Sequence, residues 1–202
     1  MKKLITLILL KSLFTLMLFA GEPYKAGDTA SDFSLKNVKG QMVSLSGFDN
    51  ARGFIVVFTC NTCPVAKKYE QRVIDLNKKF SNEGFPVIAI NSNDKDVSPG
   101  DSFEEMKNIA MRDKYDFEYL YDESQSVAKQ YGATNTPHVY VLSKKDGVLK
   151  VEYTGAIDNN ADDPSSADKK YVEDAVNRLL KGEQIAITGT KAIGCSIKWK
   201  RA

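Results

Sequence analysis

The stretch "VVFTCNTCPVAKKYEQ", Val56–Gln71, joins an apolar, β-branched run to a segment with helical spacing, and two cysteines sit at the join. The run begins at Gly53, and "GFIVVFT" (53–59) has the composition of a strand buried on both faces. After the cysteines, Val65, Tyr69, Val73, Leu76 and Phe80 recur at helical spacing, with Lys67, Lys68, Glu70, Lys78 and Lys79 on the other faces. Pro64 suits a first helical turn, which needs no intrahelical N–H bond. The pair Cys60 and Cys63 therefore meets the unpaired N–H groups and the positive dipole end of a helix, and both favour thiolate over thiol. A Cys-x-x-Cys pair so placed titrates near about 7 or lower instead of about 8.5. Chain order assigns the expected roles. Cys60, on the loop side, is the exposed attacking thiolate, and Cys63, in the first turn, resolves the mixed disulfide.

Outward from this junction, "DFSLKNVKGQMVSL" (32–45) reads as two short strands around a Lys39-Gly40 turn. A second buried strand, "PVIAIN", covers 86–91, and the polar "SNDKDVSPGD" (92–101) reads as a surface loop. A helix is predicted over 102–114, a short strand over 117–121 and a helix over 126–131. "HVYVLS" (138–143) and "VLKVEYTG" (148–155) flank "KKDG" as a hairpin. The acidic "DNNADDPSSAD" (158–168) is a loop, 171–180 a closing helix, and the chain from Gly182 irregular. Strand–helix–strand followed by a hairpin and a helix predicts an α/β fold: a central mixed sheet flanked by helices, with an N-terminal β-hairpin extension. Sites in such sheets form at the carboxyl ends of strands, where Cys60 stands.

The chain has 202 residues, 43% of them hydrophobic, which suits one domain with a sizeable core. Residues 1–20, "MKKLITLILLKSLFTLMLFA", start basic and continue apolar to Ala20, the pattern of a signal peptide. An uncleaved membrane anchor is the alternative reading of the same segment. Both place the folded part outside the cytoplasm, periplasmic or secreted, with any membrane contact limited to an uncleaved N-terminus. The expected division is 1–20 signal peptide, 24–181 folded domain and 182–202 tail. Removing residues 1–20 takes away three lysines and no acid, leaving 25 basic residues against 26 acidic ones in place of 28 against 26. That balance gives no reason to expect a nucleic-acid partner.

Three cysteines are too few for a disulfide scaffold in an exported chain of this size, so reactivity is the better reason for them. A structural zinc site needs four ligands, and the chain offers three cysteines and one histidine, scattered. A purely structural Cys60–Cys63 bridge would close a tiny loop and stabilise little. Cys195 lies in "TKAIGCSIKWK", which is apolar enough at Ile193, Ile197 and Trp199 to dock, with Gly194 allowing close backbone approach. It is open as a packing thiol or as an auxiliary thiol that bridges to Cys60 or Cys63.

With these residues in hand, the chain resembles the thioredoxin-fold redoxins, a group that includes extracytoplasmic thiol–disulfide oxidoreductases and peroxiredoxin-like proteins of the alkyl hydroperoxide reductase/thiol-specific antioxidant type. The resemblance runs from about Ala26 to Leu180, through the hairpin at 32–48, "FIVVFTCNTCP" (54–64) and "YGATNTPHVYVLSKKDGVLKVEYTG" (131–155). It implies a cis Thr136-Pro137 bond beside the dithiol, with Thr136 holding an extended substrate strand and Pro137 shaping the groove. It also implies electrons carried by the cysteines with no bound cofactor and no metal. Expected partners are protein or small-molecule disulfides and a thiol electron donor or acceptor. The chain departs from the pattern at Thr59, where a Trp is usual, and at Thr62, where a Pro is usual. It departs again at Phe54, where thioredoxin has a buried acid; Glu70 reads as a solvated surface residue, with a substitute for that acid as the lesser reading. Two alternatives accompany the oxidoreductase reading. In a thiol peroxidase, Cys63-Pro64 would match the peroxide-attacking position, with Cys60 where a hydroxyl residue is usual. In a copper chaperone, the two cysteines and His138 would bind Cu(I).

Overall fold

The computed structural model describes residues 22–201. The signal-peptide reading of residues 1–20 lies outside them. Along the chain run β1 (Thr29–Ala30), β2 (Ser34–Asn37), β3 (Met42–Ser44), β4 (Gly53–Thr59), α1 (Pro64–Phe80) and β5 (Val87–Asn91). There follow α2 (Phe103–Arg112), β6 (Glu118–Tyr121), α3 (Ser126–Tyr131), β7 (Asn135–Thr136), β8 (His138–Lys145), β9 (Val148–Gly155), α4 (Tyr171–Lys181) and β10 (Cys195–Ser196). Among the described residues, eight strands form one sheet in the order β1-β9-β8-β4-β5-β6-β2-β3. Strands β4, β5 and β6 run parallel, while β8 lies antiparallel to β4 and the β2–β3 hairpin joins through β2 on β6. This is the thioredoxin-like mixed sheet with its N-terminal hairpin.

Strand β4 stands in the middle because its side chains are apolar on both faces. Phe54, Val56 and Phe58 pack into one core with Ile88, Ile90, Tyr131 and Tyr140. Ile55 and Val57 pack on the other face with Tyr69, Val73 and Leu76 of α1 and Val172 and Val176 of α4. All five residues from Phe54 to Phe58 are fully buried, and burial of each such side chain stabilises by about 2 kcal/mol. The carboxyl end of β4 is thereby fixed, and the cysteines begin where it stops.

Two readings change. The segment 92–101 is a surface loop only in its middle, where Lys95, Asp96 and Pro99 are exposed; at its ends Ser92, Asn93, Asp94 and Asp101 are buried. A buried polar segment persists only when its groups are paired, and this one is paired chiefly through Asp101. The chain beyond Gly182 is irregular, as expected, but it is fastened to the domain. Thr190 N–H donates to the Thr154 carbonyl, Ile197 N–H donates to the Thr134 carbonyl, and Ile197 is 3% exposed within the first core.

Candidate active site

Cys63 is the N-cap of α1, with Pro64 first in the helix, and the Ala66 N–H donates to Cys63 Sγ at 3.5 Å. An N-cap satisfies a helix-terminal donor with a side-chain acceptor, and here that acceptor is sulfur. Cys60 lies on the connection between β4 and α1. The Thr136-Pro137 bond is cis, as the resemblance implied, and Thr136 meets both cysteines. Cys60 Sγ is hydrogen-bonded to Thr136 Oγ1 at 3.1 Å, and Cys63 Sγ lies 3.3 Å from the Thr136 carbonyl oxygen.

A carboxylate that the sequence reading passed over holds this connection in shape. Asp101, fully buried, accepts from the Asn61 N–H at 2.6 Å, the Thr62 N–H at 3.2 Å and the Thr62 hydroxyl at 2.7 Å. It accepts further bonds from the Ser98 hydroxyl and from Asn93 Nδ2. Tyr119, also buried, donates its hydroxyl to Asn61 Oδ1 at 2.8 Å. The only signal in the sequence was a Pro99-Gly100 turn carrying an acid just before the Ser102 cap of α2, a pattern too common to single out.

The cysteines depart from the expected arrangement. Cys63 is bridged to Cys195, 132 residues away, with Cα atoms 5.9 Å apart, and Cys60 is the free thiol. The separation is ordinary for a disulfide. Cys60 is not the exposed thiol expected from chain order: it is 6% exposed, and Cys63 is 3% exposed. Burial pushes the Cys60 thiol up, the Thr136 hydroxyl pulls it down, and the Asp101 carboxylate adds to the rise. The Ala66 N–H falls to Cys63, the cap of the helix, while the Thr62 and Cys63 N–H groups pull Cys60 down as expected, against the larger rise from burial. The groove at Thr136 is also occupied. Strand β10 pairs antiparallel with β7, Cys195 opposite Thr136, so the tail lies where an extended substrate strand was expected.

Of the remaining candidates, Phe54 is fully buried and supplies no acid. Glu70 is half-buried rather than fully solvated. It lines a cavity of about 210 Å³ together with Cys60, Lys67, Arg112, Tyr115 and Tyr119, and it accepts the Tyr115 hydroxyl at 2.7 Å. Burial pushes its carboxyl up, and the Tyr115 hydrogen bond pulls it down. His138 stacks on Tyr140, its Nε2 bonds Thr154 Oγ1 at 3.0 Å, and its Nδ1 is buried without a partner. Burial pushes it down to about 4. The ligand set of the copper reading is not gathered: among the described residues no three His, Cys, Asp or Glu side chains cluster as metal ligands.

Comparison with known proteins shows the family and the fold. A protein named peroxiredoxin Q, chloroplastic, from Sedum lineare is 28% identical over 160 residues, 76% of each chain. Thiol-disulfide oxidoreductase ResA from Bacillus cereus is 21% identical over 153 residues, 73% of this chain and 84% of ResA. A solved structure described as an uncharacterized conserved protein from Geobacillus kaustophilus superposes with a TM-score of 0.80 at 35% identity, covering 88% of this chain and 93% of its own. Residues 26–151 match the AhpC/TSA family, and the chain belongs to that family of redoxins.

Proposed function

We propose that this redoxin is an exported thiol–disulfide oxidoreductase in which Cys60, Cys63 and Cys195 pass one disulfide among themselves. The observation that carries this reading is a free thiol, Cys60, beside the Cys63–Cys195 disulfide, with Thr136 between the sulfurs. In the fully reduced protein, Cys60 thiolate attacks a substrate disulfide and expels one substrate thiolate. Cys63 thiolate then attacks Cys60 Sγ, releases the second substrate thiolate and forms a Cys60–Cys63 disulfide. Cys195 thiolate attacks Cys63 Sγ in turn, and Cys60 leaves as a thiolate that takes up the proton Cys195 gave up. Two electrons have passed to the substrate, and the protein stands in the arrangement observed. Burial pushes the Cys60 thiol up in that state, which slows attack by Cys60 on the bridge and favours the arrangement observed. A thiol donor returns it to the reduced form. Export rests on residues 1–20, and the N-terminus of protein from its native host is expected at Gly21 or Glu22.

A second reading is favoured by one observation, the position of Cys63 as the N-cap. As a thiol peroxidase, Cys63 thiolate would attack the terminal oxygen of a hydroperoxide, giving a sulfenic acid and an alcohol. Cys195 would then condense with the sulfenic acid, releasing water and leaving the same bridge. That cycle uses two sulfurs, and the third, Cys60, stands where a peroxidase carries a hydroxyl. Alkylation of the fully reduced protein separates the two. Cys60 reacting first, with reduction of an insulin-like disulfide, supports the oxidoreductase. Cys63 reacting first, with a trapped sulfenic acid and peroxide consumption, replaces it.

A further inference from the structure

An extended segment offers N–H and carbonyl groups along both edges, and the tail from Gly194 to Lys200 has both edges engaged. On one edge β10 pairs with β7, Asn135 Nδ2 donates to the Gly194 carbonyl at 3.0 Å, and the Ile197 N–H donates to the Thr134 carbonyl at 2.9 Å. On the other, the Lys198 N–H donates to Asn93 Oδ1 at 2.8 Å, and the Lys200 N–H donates to Gln125 Oε1 at 2.8 Å. The Lys198 carbonyl accepts from the Asp94 N–H and from Gln125 Nε2, both at 2.8 Å. Asn93 and Gln125 are buried side chains, 3% and 1% exposed, so the slot is built into the domain.

These contacts reach the tail's backbone, which any sequence supplies. Side chains are read closely at three positions, with Lys129 Nζ also 5.8 Å from the Trp199 ring centroid. A Cβ at 194 would collide with the Thr136 carbonyl, so that position takes glycine. The sulfur at 195 meets Cys63, and the side chain at 197 fills an apolar niche in the core. Backbone pairing supplies affinity, and pockets for particular side chains supply selectivity.

We propose that this slot is a binding site for an extended, cysteine-bearing segment of a partner protein, with glycine before the cysteine and an aliphatic residue two positions after it. The tail is its resident occupant. The inference rests on the thiol–disulfide reading and adds the partner's sequence class. The slot opens by exchange within the protein. Cys60 thiolate attacks Cys63 Sγ, the Cys63–Cys195 bond breaks, the Cys60–Cys63 bond forms, and Cys195 leaves as a thiolate that takes up the proton Cys60 gave up. No outside oxidant or reductant is consumed. A partner thiolate then attacks Cys63 Sγ, Cys60 leaves as a thiolate that takes up the proton the partner thiol gave up, and the partner is joined to Cys63 in the place of Cys195.

The test uses reduced full-length protein carrying Cys60→Ser and Cys195→Ser, in which Cys63 is the remaining thiol, and the synthetic peptide KAIGCSIKWK, residues 191–200, activated at its cysteine as a pyridyl disulfide. Its own tail competes equally with every peptide. Peptides carrying Gly194→Val or Ile197→Asp are expected to be captured about tenfold more slowly, equivalent to about 1.4 kcal/mol, and one carrying Lys198→Ala at the parent rate. Equal capture of all four overturns the proposal. In oxidised wild-type protein a fraction of Cys195 is expected to alkylate, and in Cys60→Ser protein none. Equal protection in both overturns the opening step, and Cys63–Cys195 links between two chains would assign the slot to a second copy instead. Selective capture at Cys63 together with a wild-type protein that fails to reduce insulin would count against the proposed function and leave the slot standing.

Discussion

The β4–α1 junction and the tail each deliver one sulfur to the same bridge, and they are held by different forces. The junction hangs on a strand whose five central side chains are fully buried and on a helix of 17 residues packed against it. The tail is held by one buried side chain, Ile197, a ladder of backbone hydrogen bonds and the disulfide itself. Hydrophobic burial fixes the first for as long as the domain is folded. The second can come away while the domain stays folded, since local opening follows from few buried apolar contacts. A fixed dithiol and a removable third thiol together allow one disulfide to move without unfolding anything else.

The sharpest way to break this contrast is to remove sulfurs singly. Cys63 belongs to both bridges, so Cys63→Ser is expected to lower disulfide reduction by about a thousandfold or more, to background. Cys195→Ser leaves a working Cys60–Cys63 pair and should keep activity within about tenfold of wild type. Insulin reduction measures both, and equal losses would mean the tail is no accessory.

Stability gives the next largest effect. The bridge closes a loop spanning 132 residues, for which chain entropy predicts up to about 5 kcal/mol, so Cys195→Ser should lower the denaturant midpoint by a corresponding amount. An unchanged midpoint would show that the bridge does not form in solution. Ile197→Ala should cost about 2–4 kcal/mol, and the loss should be local. Hydrogen exchange is expected to quicken at the Ile197, Lys198 and Lys200 amides and to stay slow along β4. Uniform quickening would make the tail part of the cooperative core.

His138 supplies a control on the body of the fold. Its folded value of about 4 lies below the ordinary 6.5, so between those values the unfolded chain binds a proton that the folded protein refuses. Stability should therefore fall as pH drops from 6.5 towards 4, by about 3 kcal/mol, and level off below. His138→Gln should flatten that part of the curve, measured by denaturation at several pH values. No difference between the variants would mean His138 is charged in the fold.

The fold was legible because its signals are local. Strand β4, helix α1 and the β8–β9 hairpin each carry their periodicity within a dozen or so residues, and Cys-x-x-Cys at a strand–helix junction names its own chemistry. The arrangement of sulfurs was not legible, because it depends on contacts between distant segments. Nothing near Cys195 in the chain says that β7 will lie opposite it, although Gly194 and Ile197 gave grounds for docking. Asp101 was hidden for the same reason. A buried carboxylate is recognised by its donors, and those donors come from residues 61, 62, 93 and 98. The exposure assigned to Cys60 failed because chain order says which residue precedes a helix, not what covers it.

The central claim is that the tail brings a third sulfur into the site, and disulfide mapping tests it most directly. Full-length protein, oxidised mildly and alkylated before digestion, is expected to yield the peptides of Cys63 and Cys195 joined to each other, with Cys60 alkylated in the same molecules. Recovery of the Cys60–Cys63 bridge alone, with Cys195 alkylated in every molecule, would contradict it.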